Sequence, residues 1–386
     1  MLERALKGGR YYWTLIGILS LAVFVGFLAY LFQMREGLTV TGLSRDVPWG
    51  FYIAQFTFLV GVAASAVMVV LPYYLHNHKS FGRLTVLGEF LAIAACGMCM
   101  LFVFVDMGQP MRIPNMMLHP TLNSLMFWDF LVLSGYLALN VVISQVTFGA
   151  ERKGVPPPRW IKPVIVLSIP WAVSIHTVTA FLYSGLEARA FWMTAILAPR
   201  FLASAFASGP SLLIILCLVV RRFTNFDPGK EAIRTLSQIV TYALLINVFF
   251  VSVELFTGLY SHIPEHVEHF EYLFFGLDGK QALVPWMWTS QLFVFAALIV
   301  LLIPKLRKND KILLVTCFAI VIAIWIEKGL GMVVTGFIPS PLGGLTEYAP
   351  TPPELLISLG IYAFGALVLT VLYKIATSIR EEIELG

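Results

Sequence analysis

Charge is what this sequence has least of. Only 12% of its 386 residues are Asp, Glu, Lys or Arg, 59% are hydrophobic, and the mean hydropathy is +0.83. Soluble domains are about a quarter charged. A water-soluble fold of this length would have to hide more apolar surface than its interior can hold. That excludes a soluble globular enzyme, a nucleic-acid binder and a disordered chain, and the small net charge of +4 offers no broad basic surface. Cysteine is scarce too. Cys96, Cys99, Cys217 and Cys317 all fall in apolar runs, where they read as small packing residues. Cys96-Gly-Met-Cys99 has no second pair to complete a zinc or iron–sulfur site. The sequence also lacks a Walker motif, a dinucleotide fingerprint, a nucleophile elbow and an HExxH motif.

What is abundant is long apolar runs. The first, 11–32, follows Arg4, Lys7 and Arg10. It is longer than the roughly 7–15 residues of a signal-peptide core, so it reads as a retained membrane helix. Further runs long enough to cross a bilayer cover 51–75, 84–105, 124–147, 163–184, 192–220, 235–260, 286–304, 312–334 and 354–377. The expectation is an all-α integral membrane protein of about ten transmembrane helices, in one transmembrane domain over 1–386. Lysine and arginine orient it. Of 26, nineteen fall at the N-terminus, in the even-numbered connections and at the C-terminus, and five in the odd-numbered connections. This bias places both termini in the cytoplasm. No loop is long enough for a soluble domain, so a soluble catalytic module would come from another chain.

Spans 2 and 6 share small-residue stretches, Gly61-Val-Ala-Ala-Ser65 and Ala207-Ser-Gly-Pro-Ser211, and spans 3 and 7 each hold one glutamate, Glu89 and Glu254. Small residues let membrane helices approach closely. The pattern suggests two four-helix bundles, spans 2–5 and 6–9, with spans 1 and 10 peripheral.

Ionisable groups in hydrocarbon are costly and mark candidate sites. Here they are Glu89, Asp129, His176, Arg200, Glu254, Glu327 and Lys328. From the outer end, Asp129 lies roughly 8 Å into span 4 and His176 roughly 12 Å into span 5. A His–Asp pair at one depth suits quinol chemistry: the imidazole handles a proton and the carboxylate fixes its tautomer. Trp49, Trp128 and Trp171 could supply ring surface nearby. The alternative is that both groups brace helices. Arg200, Glu327 and Lys328 read as mutually neutralising, and Glu254 stands open between the two roles. Glu89, near the cytoplasmic end, either starts an inner proton path or faces the inner interface. Haem ligation needs histidines on facing helices, and of seven only His176 is deep in a span. His76 and His78 are on an inner loop. His262, His266 and His269 have helical ligand spacing, but a solvated loop face is the favoured reading.

Asp46-Val-Pro-Trp-Gly-Phe-Tyr-Ile opening span 2, Phe127-Trp-Asp129 in span 4 and Ser174-Ile-His-Thr-Val-Thr-Ala in span 5 carry a resemblance. Together they resemble the NrfD / polysulfide-reductase membrane-subunit family, in its ten-helix branch as in Hmc- and Dsr-type transmembrane redox complexes of anaerobic respiration and sulfate reduction. The resemblance covers most of the chain. It implies a subunit, not catalytic alone, with no haem or iron–sulfur cluster of its own. Such a subunit sits in the inner membrane and binds menaquinone or a related quinone near the periplasmic face. Implied partners are a periplasmic iron–sulfur ferredoxin-like subunit, a multihaem cytochrome c, and other membrane and cytoplasmic iron–sulfur subunits. The family's quinone-site histidine and aspartate correspond to His176 and Asp129, with Pro48, Trp49 and Gly50 at the mouth. The expected quinone-binding set is therefore Asp129, His176, Trp49, Arg200 and Glu254, with Glu89 on a possible proton path. Two other readings compete. Pro170, Pro210 and the internal repeat suit a secondary transporter; an inert anchor for redox subunits would tolerate loss of Asp129 and His176.

Overall fold

The computed structural model describes residues 8–74, 79–224 and 226–385. Arg4, Lys7, His76 and His78, singled out above, lie outside them. Apolar runs flanked by polar turns form helices because the backbone must satisfy its own hydrogen bonds in hydrocarbon. Among the described residues ten helices are long and apolar enough to cross a bilayer: α1 (Arg10–Glu36), α2 (Phe51–Tyr74), α3 (Gly82–Asp106), α4 (Leu125–Arg152), α5 (Ile161–Ser184), α6 (Leu197–Phe223), α7 (Lys230–Ser261), α8 (Val284–Leu302), α9 (Asp310–Thr335) and α10 (Pro352–Arg380). The one β-like feature described is a bridge between Leu277 and Lys280. The all-α architecture matches the sequence reading. The helices α4 and α7 run a turn or more beyond their apolar cores at the end rich in Lys and Arg, here called the basic end. The opposite, loop-rich end carries the longer connections.

The packing forms two rings. The helices α2, α3, α4 and α5 close one ring, and α6, α7, α8 and α9 close the other. The rings meet chiefly where α2 touches α6 and α9, and where α5 touches α6. The pairs α2–α9 and α6–α5 are equivalent under an exchange of the two rings, and α2–α6 maps onto itself. Both rings also enter from the loop-rich end. The arrangement is a parallel repeat. The small-residue stretches named above are its hinge of contact. A Cβ on Gly209 would stand 3.1 Å from the Gly61 carbonyl oxygen, and one on Gly61 3.4 Å from the Ala205 Cα. The internal glutamates do not follow the repeat, since Glu89 lies toward the basic end of α3 and Glu254 toward the loop-rich end of α7.

The helix α2 is the centre of the molecule. Its most apolar window is 100% buried, against 6% for α1. The helix α1 rests on α10, which in turn packs on α3. Buried amides fasten these layers. Gln33 of α1 donates to the Val105 carbonyl (2.7 Å) and accepts from the Tyr52 hydroxyl (2.6 Å). The Gln55 carbonyl accepts from Trp325 (2.7 Å) and Tyr362 (2.6 Å), joining α2, α9 and α10. The helix α9 is interrupted by a π-helical stretch, Trp325–Gly331. Such stretches often occur at functional sites, and this one carries the adjacent, buried Glu327 and Lys328.

Candidate functional site: buried polar groups at the loop-rich end

Asp129 sits in the second turn of α4, buried, and its Oδ1 accepts a hydrogen bond from the Thr179 hydroxyl (2.6 Å). The Thr179 Oγ1 also lies 2.8 Å from the Ile175 carbonyl of its own helix, so its one proton is shared between the two acceptors and the hydroxyl is held in place. The carboxylate forms part of the wall of a cavity of about 170 Å³ between α3 and α4. Met100, Met107, Met116 and Met126 line it with Phe130. Unbranched thioether side chains adapt to the shape of an apolar guest. The cavity thus pairs a pliable apolar wall with one ionisable group, the composition of a small-molecule pocket.

The expected hydrogen-bonded His–Asp pair is not what forms. Thr179, one turn beyond His176 toward the loop-rich end, takes the place facing Asp129. A turn is about 5.4 Å, enough to move the imidazole deeper than the carboxylate. His176 is fully buried, and neither ring nitrogen has a hydrogen-bond partner among the described residues. An unsatisfied buried polar group costs free energy, so this imidazole is retained against a penalty.

Trp49 belongs to an aromatic plug between the two rings. It stacks on Trp192 (centroids 6.1 Å) and meets Tyr183 and Phe337 edge-on at 5.4 and 5.7 Å. The Trp192 indole donates to the Met332 carbonyl (2.9 Å), and Tyr183 and Thr57 share a buried hydroxyl contact. The Pro-Trp-Gly segment is pinned from above. Tyr348 donates to Glu354 (2.6 Å) and accepts from the Phe51 amide (2.8 Å). Its ring lies so close to Gly50 that a Cβ there would stand 2.4 Å from it, which explains the glycine. Trp128 and Trp171 do not line the cavity: Trp128 is half exposed, and Trp171 lies between α5 and α4, donating to the Val132 carbonyl (2.8 Å).

Arg200 and Glu254 sit in the second ring, apart from Asp129. Arg200 of α6 is forked between Glu254 of α7 and Glu327 of α9, the latter at 2.9 Å. A guanidinium suits two carboxylates because its donors are fixed in one plane. The Lys328 Nζ donates to the Phe201 carbonyl (3.3 Å) and lies 4.2 Å from the Phe201 ring centroid. The formal charges of Arg200, Lys328, Glu254 and Glu327 cancel. Of the four, Glu327 lines a second cavity, of about 290 Å³, between α7 and α8. The five expected site residues therefore divide: Asp129 is on one cavity, Arg200 and Glu254 stand behind the other, Trp49 is in the plug, and His176 is in the core.

Glu89 is buried, with both oxygens unpartnered among the described residues, and does not face an interface. The loop histidines depart from a uniformly solvated face. His262 is exposed, but His269 is buried, with Nδ1 hydrogen-bonded to the Ile338 carbonyl (2.9 Å). The four cysteines are buried and free. Sequence reasoning passed over Thr179, Asn247 and Gln291. A search limited to ionisable residues misses neutral hydroxyls and amides, although an Asn in the middle of an apolar run was visible.

Fold and site define a class: a multi-pass helical membrane protein with buried polar groups beside apolar cavities. The chain belongs to the family described as Polysulphide reductase, NrfD, which matches residues 39–338. It is 26% identical to a protein of Halobacterium salinarum provisionally named as a dimethyl sulfoxide reductase membrane subunit, over 92% of this chain and 88% of that one. It is 26% identical to the Hdr-like menaquinol oxidoreductase integral membrane subunit of Archaeoglobus fulgidus, over 68% and 64%. It is 22% identical to the menaquinone reductase integral membrane subunit of Nitratidesulfovibrio vulgaris, over 92% and 88%.

Proposed function

We propose that this chain is the quinone-interacting membrane subunit of a multisubunit redox complex, and that the α3/α4 cavity is its quinone site. The observation that carries the reading is the cavity itself: methionine-rich walls, a buried carboxylate held by Thr179 through one oxygen, and a lateral position between two membrane helices. The names of two relatives, a menaquinol oxidoreductase and a menaquinone reductase subunit, agree with it. The residues fit the group, since an isoprenoid quinone is an apolar body with two polar oxygens. Bound there, a quinone would supply two-electron, two-proton redox chemistry.

The chain's own residues bind, orient and handle protons. Asp129 Oδ1 is fixed by Thr179, which leaves its other oxygen to take or return a proton at the cavity wall. His176, one turn deeper, offers an unpartnered imidazole as the next proton-accepting group inward. The Trp49 plug excludes water from the level between the rings. Arg200 and Glu254 act from the second ring, as balanced charges behind Glu327. Glu89 serves as the inner end of a proton path. The buried face of α4, with Tyr136, Asn140 and Ser144, runs from the Asp129 level toward it. Electrons pass to a periplasmic iron–sulfur ferredoxin-like or cytochrome partner on the loop-rich face, with both termini in the cytoplasm and the chain in the inner membrane.

The test is quinol-linked electron transfer by the assembled complex. Asp129→Asn and His176→Ala are each expected to slow it by about 10²-fold or more, the low end for a positioned proton-transfer group. The complex still assembles. Normal turnover in an assembled variant removes that residue from the site, and normal turnover in both returns the chain to an inert anchor.

A further inference from the structure

The repeat gives the second ring its own version of the first cavity. In the first ring the cavity lies between α3 and α4, under the connection that joins them. In the second it lies between α7 and α8, under the helix Pro264–Phe274 that joins those two. The two grooves occupy equivalent places. The second is the larger, about 290 Å³ against 170 Å³.

The second groove is also built for a polar contact. Asn247, in the middle of α7, is fully buried and lines it, and neither its Oδ1 nor its Nδ2 has a partner among the described residues. Gln291 of α8 lines the same groove with its Nε2 buried and unpartnered. Glu327 closes the inner wall, held by Arg200 through one oxygen. Donors and an acceptor therefore converge on one apolar slot. Each buried, unmet amide group costs free energy that a bound guest would recover.

Depth selects the guest. Asn247 is fourteen residues from Ser261, the loop-rich end of α7, or about 21 Å down the helix. A charged lipid head group cannot reach that level without carrying its charge into hydrocarbon. A neutral ring with carbonyl or hydroxyl oxygens can. The mouth is apolar and aromatic. Trp288 and Phe295 are each about half exposed, and Trp288 is fixed by its bond to the Phe274 carbonyl (2.9 Å).

We propose that the α7/α8 groove is a second binding site for a neutral, isoprenoid-tailed quinone, held by Asn247 and Gln291. The ligand class rests on the function proposed above; the existence of the site does not.

The experiment uses the native complex in membranes and two photoreactive probes, an azido-naphthoquinone with a short isoprenoid tail and an azido-phosphatidylcholine. Labelled peptides are mapped by mass spectrometry. The expected result is quinone labelling in both grooves. Asn247→Leu with Gln291→Leu cuts α7/α8 labelling by at least about tenfold, the loss of two or more hydrogen bonds, and leaves α3/α4 labelling unchanged. Val251→Trp, which fills the second groove from its wall, does the same without touching either amide. The inference is overturned if α7/α8 is unlabelled, if both variants leave its labelling intact, or if the lipid probe labels it in competition with the quinone. Labelling of α3/α4 alone sinks this inference and keeps the proposed function. Variant-sensitive labelling of α7/α8 alone keeps this site and sinks the assignment of the first cavity. No labelling in either groove sinks both.

Discussion

Arg200 remains inside the protein because two carboxylates from different helices meet it. Breaking such a network leaves uncompensated buried charge, which costs about 3–5 kcal/mol. Arg200→Met alone is therefore expected to lower thermal stability sharply, with Glu254 and Glu327 left facing each other. Arg200→Met with Glu254→Gln leaves Glu327 and Lys328, whose charges cancel, and should recover most of the loss. Thermal unfolding of the solubilised complex reads both. A double variant as unstable as the single one would show that the geometry of the fork matters more than charge balance. The sequence marked every member of this cluster, because charges stand out in apolar runs. It could not assign partners, since Arg200 and Glu327 are 127 residues apart. At Asp129 it expected His176 as the facing partner, whereas Thr179, about one turn away, makes that hydrogen bond.

At the scale of elements, α1 meets α10 through two glycines. A Cβ on Gly26 would stand 2.6 Å from the Gly360 Cα, contact with backbone that cannot move aside. Gly26→Leu should push α1 off α10, seen as loss of cysteine cross-linking between the two helices. Gly97→Ala on α3 is the control: a Cβ there meets nothing within 4 Å, and replacing a helical glycine gains about 1 kcal/mol. Unchanged cross-linking in Gly26→Leu would place the contact elsewhere. The connection Pro264–Phe274 gives a pH-dependent case. Burial holds the His269 imidazole below its ordinary range, against the hydrogen bonds to the Ile338 and Thr335 backbone. A depressed imidazole favours the folded state while neutral. That stability is present above about pH 6.5 and is lost as pH falls from there through the folded value. Protection of the 335–338 amides from hydrogen exchange, taken relative to the intrinsic rate at each pH, should fall between pH 7 and 5, and His269→Gln should flatten the response. A pH response that persists in His269→Gln would assign it to another group.

At the scale of the molecule, the positive charge bias predicts that tags on both termini are reachable from the cytoplasmic side alone. Labelling of a tag from the other side with a membrane-impermeant reagent would invert the proposed site onto the cytoplasmic face. The number of helices, their all-α class and the two-ring grouping were legible in the sequence, because a bilayer demands long apolar runs and close helix contact demands small residues. Those demands are local and leave periodic traces. The tertiary structure decided which faces meet. It put α2 at the centre, set Asp129 on one cavity with Arg200 and Glu254 behind the other and Trp49 and His176 on neither, turned His269 inward and left Asn247 and His176 without partners among the described residues. These outcomes depend on rotation and depth of one helix against another. A turn of about 5.4 Å changes a partner without changing the hydropathy of either segment.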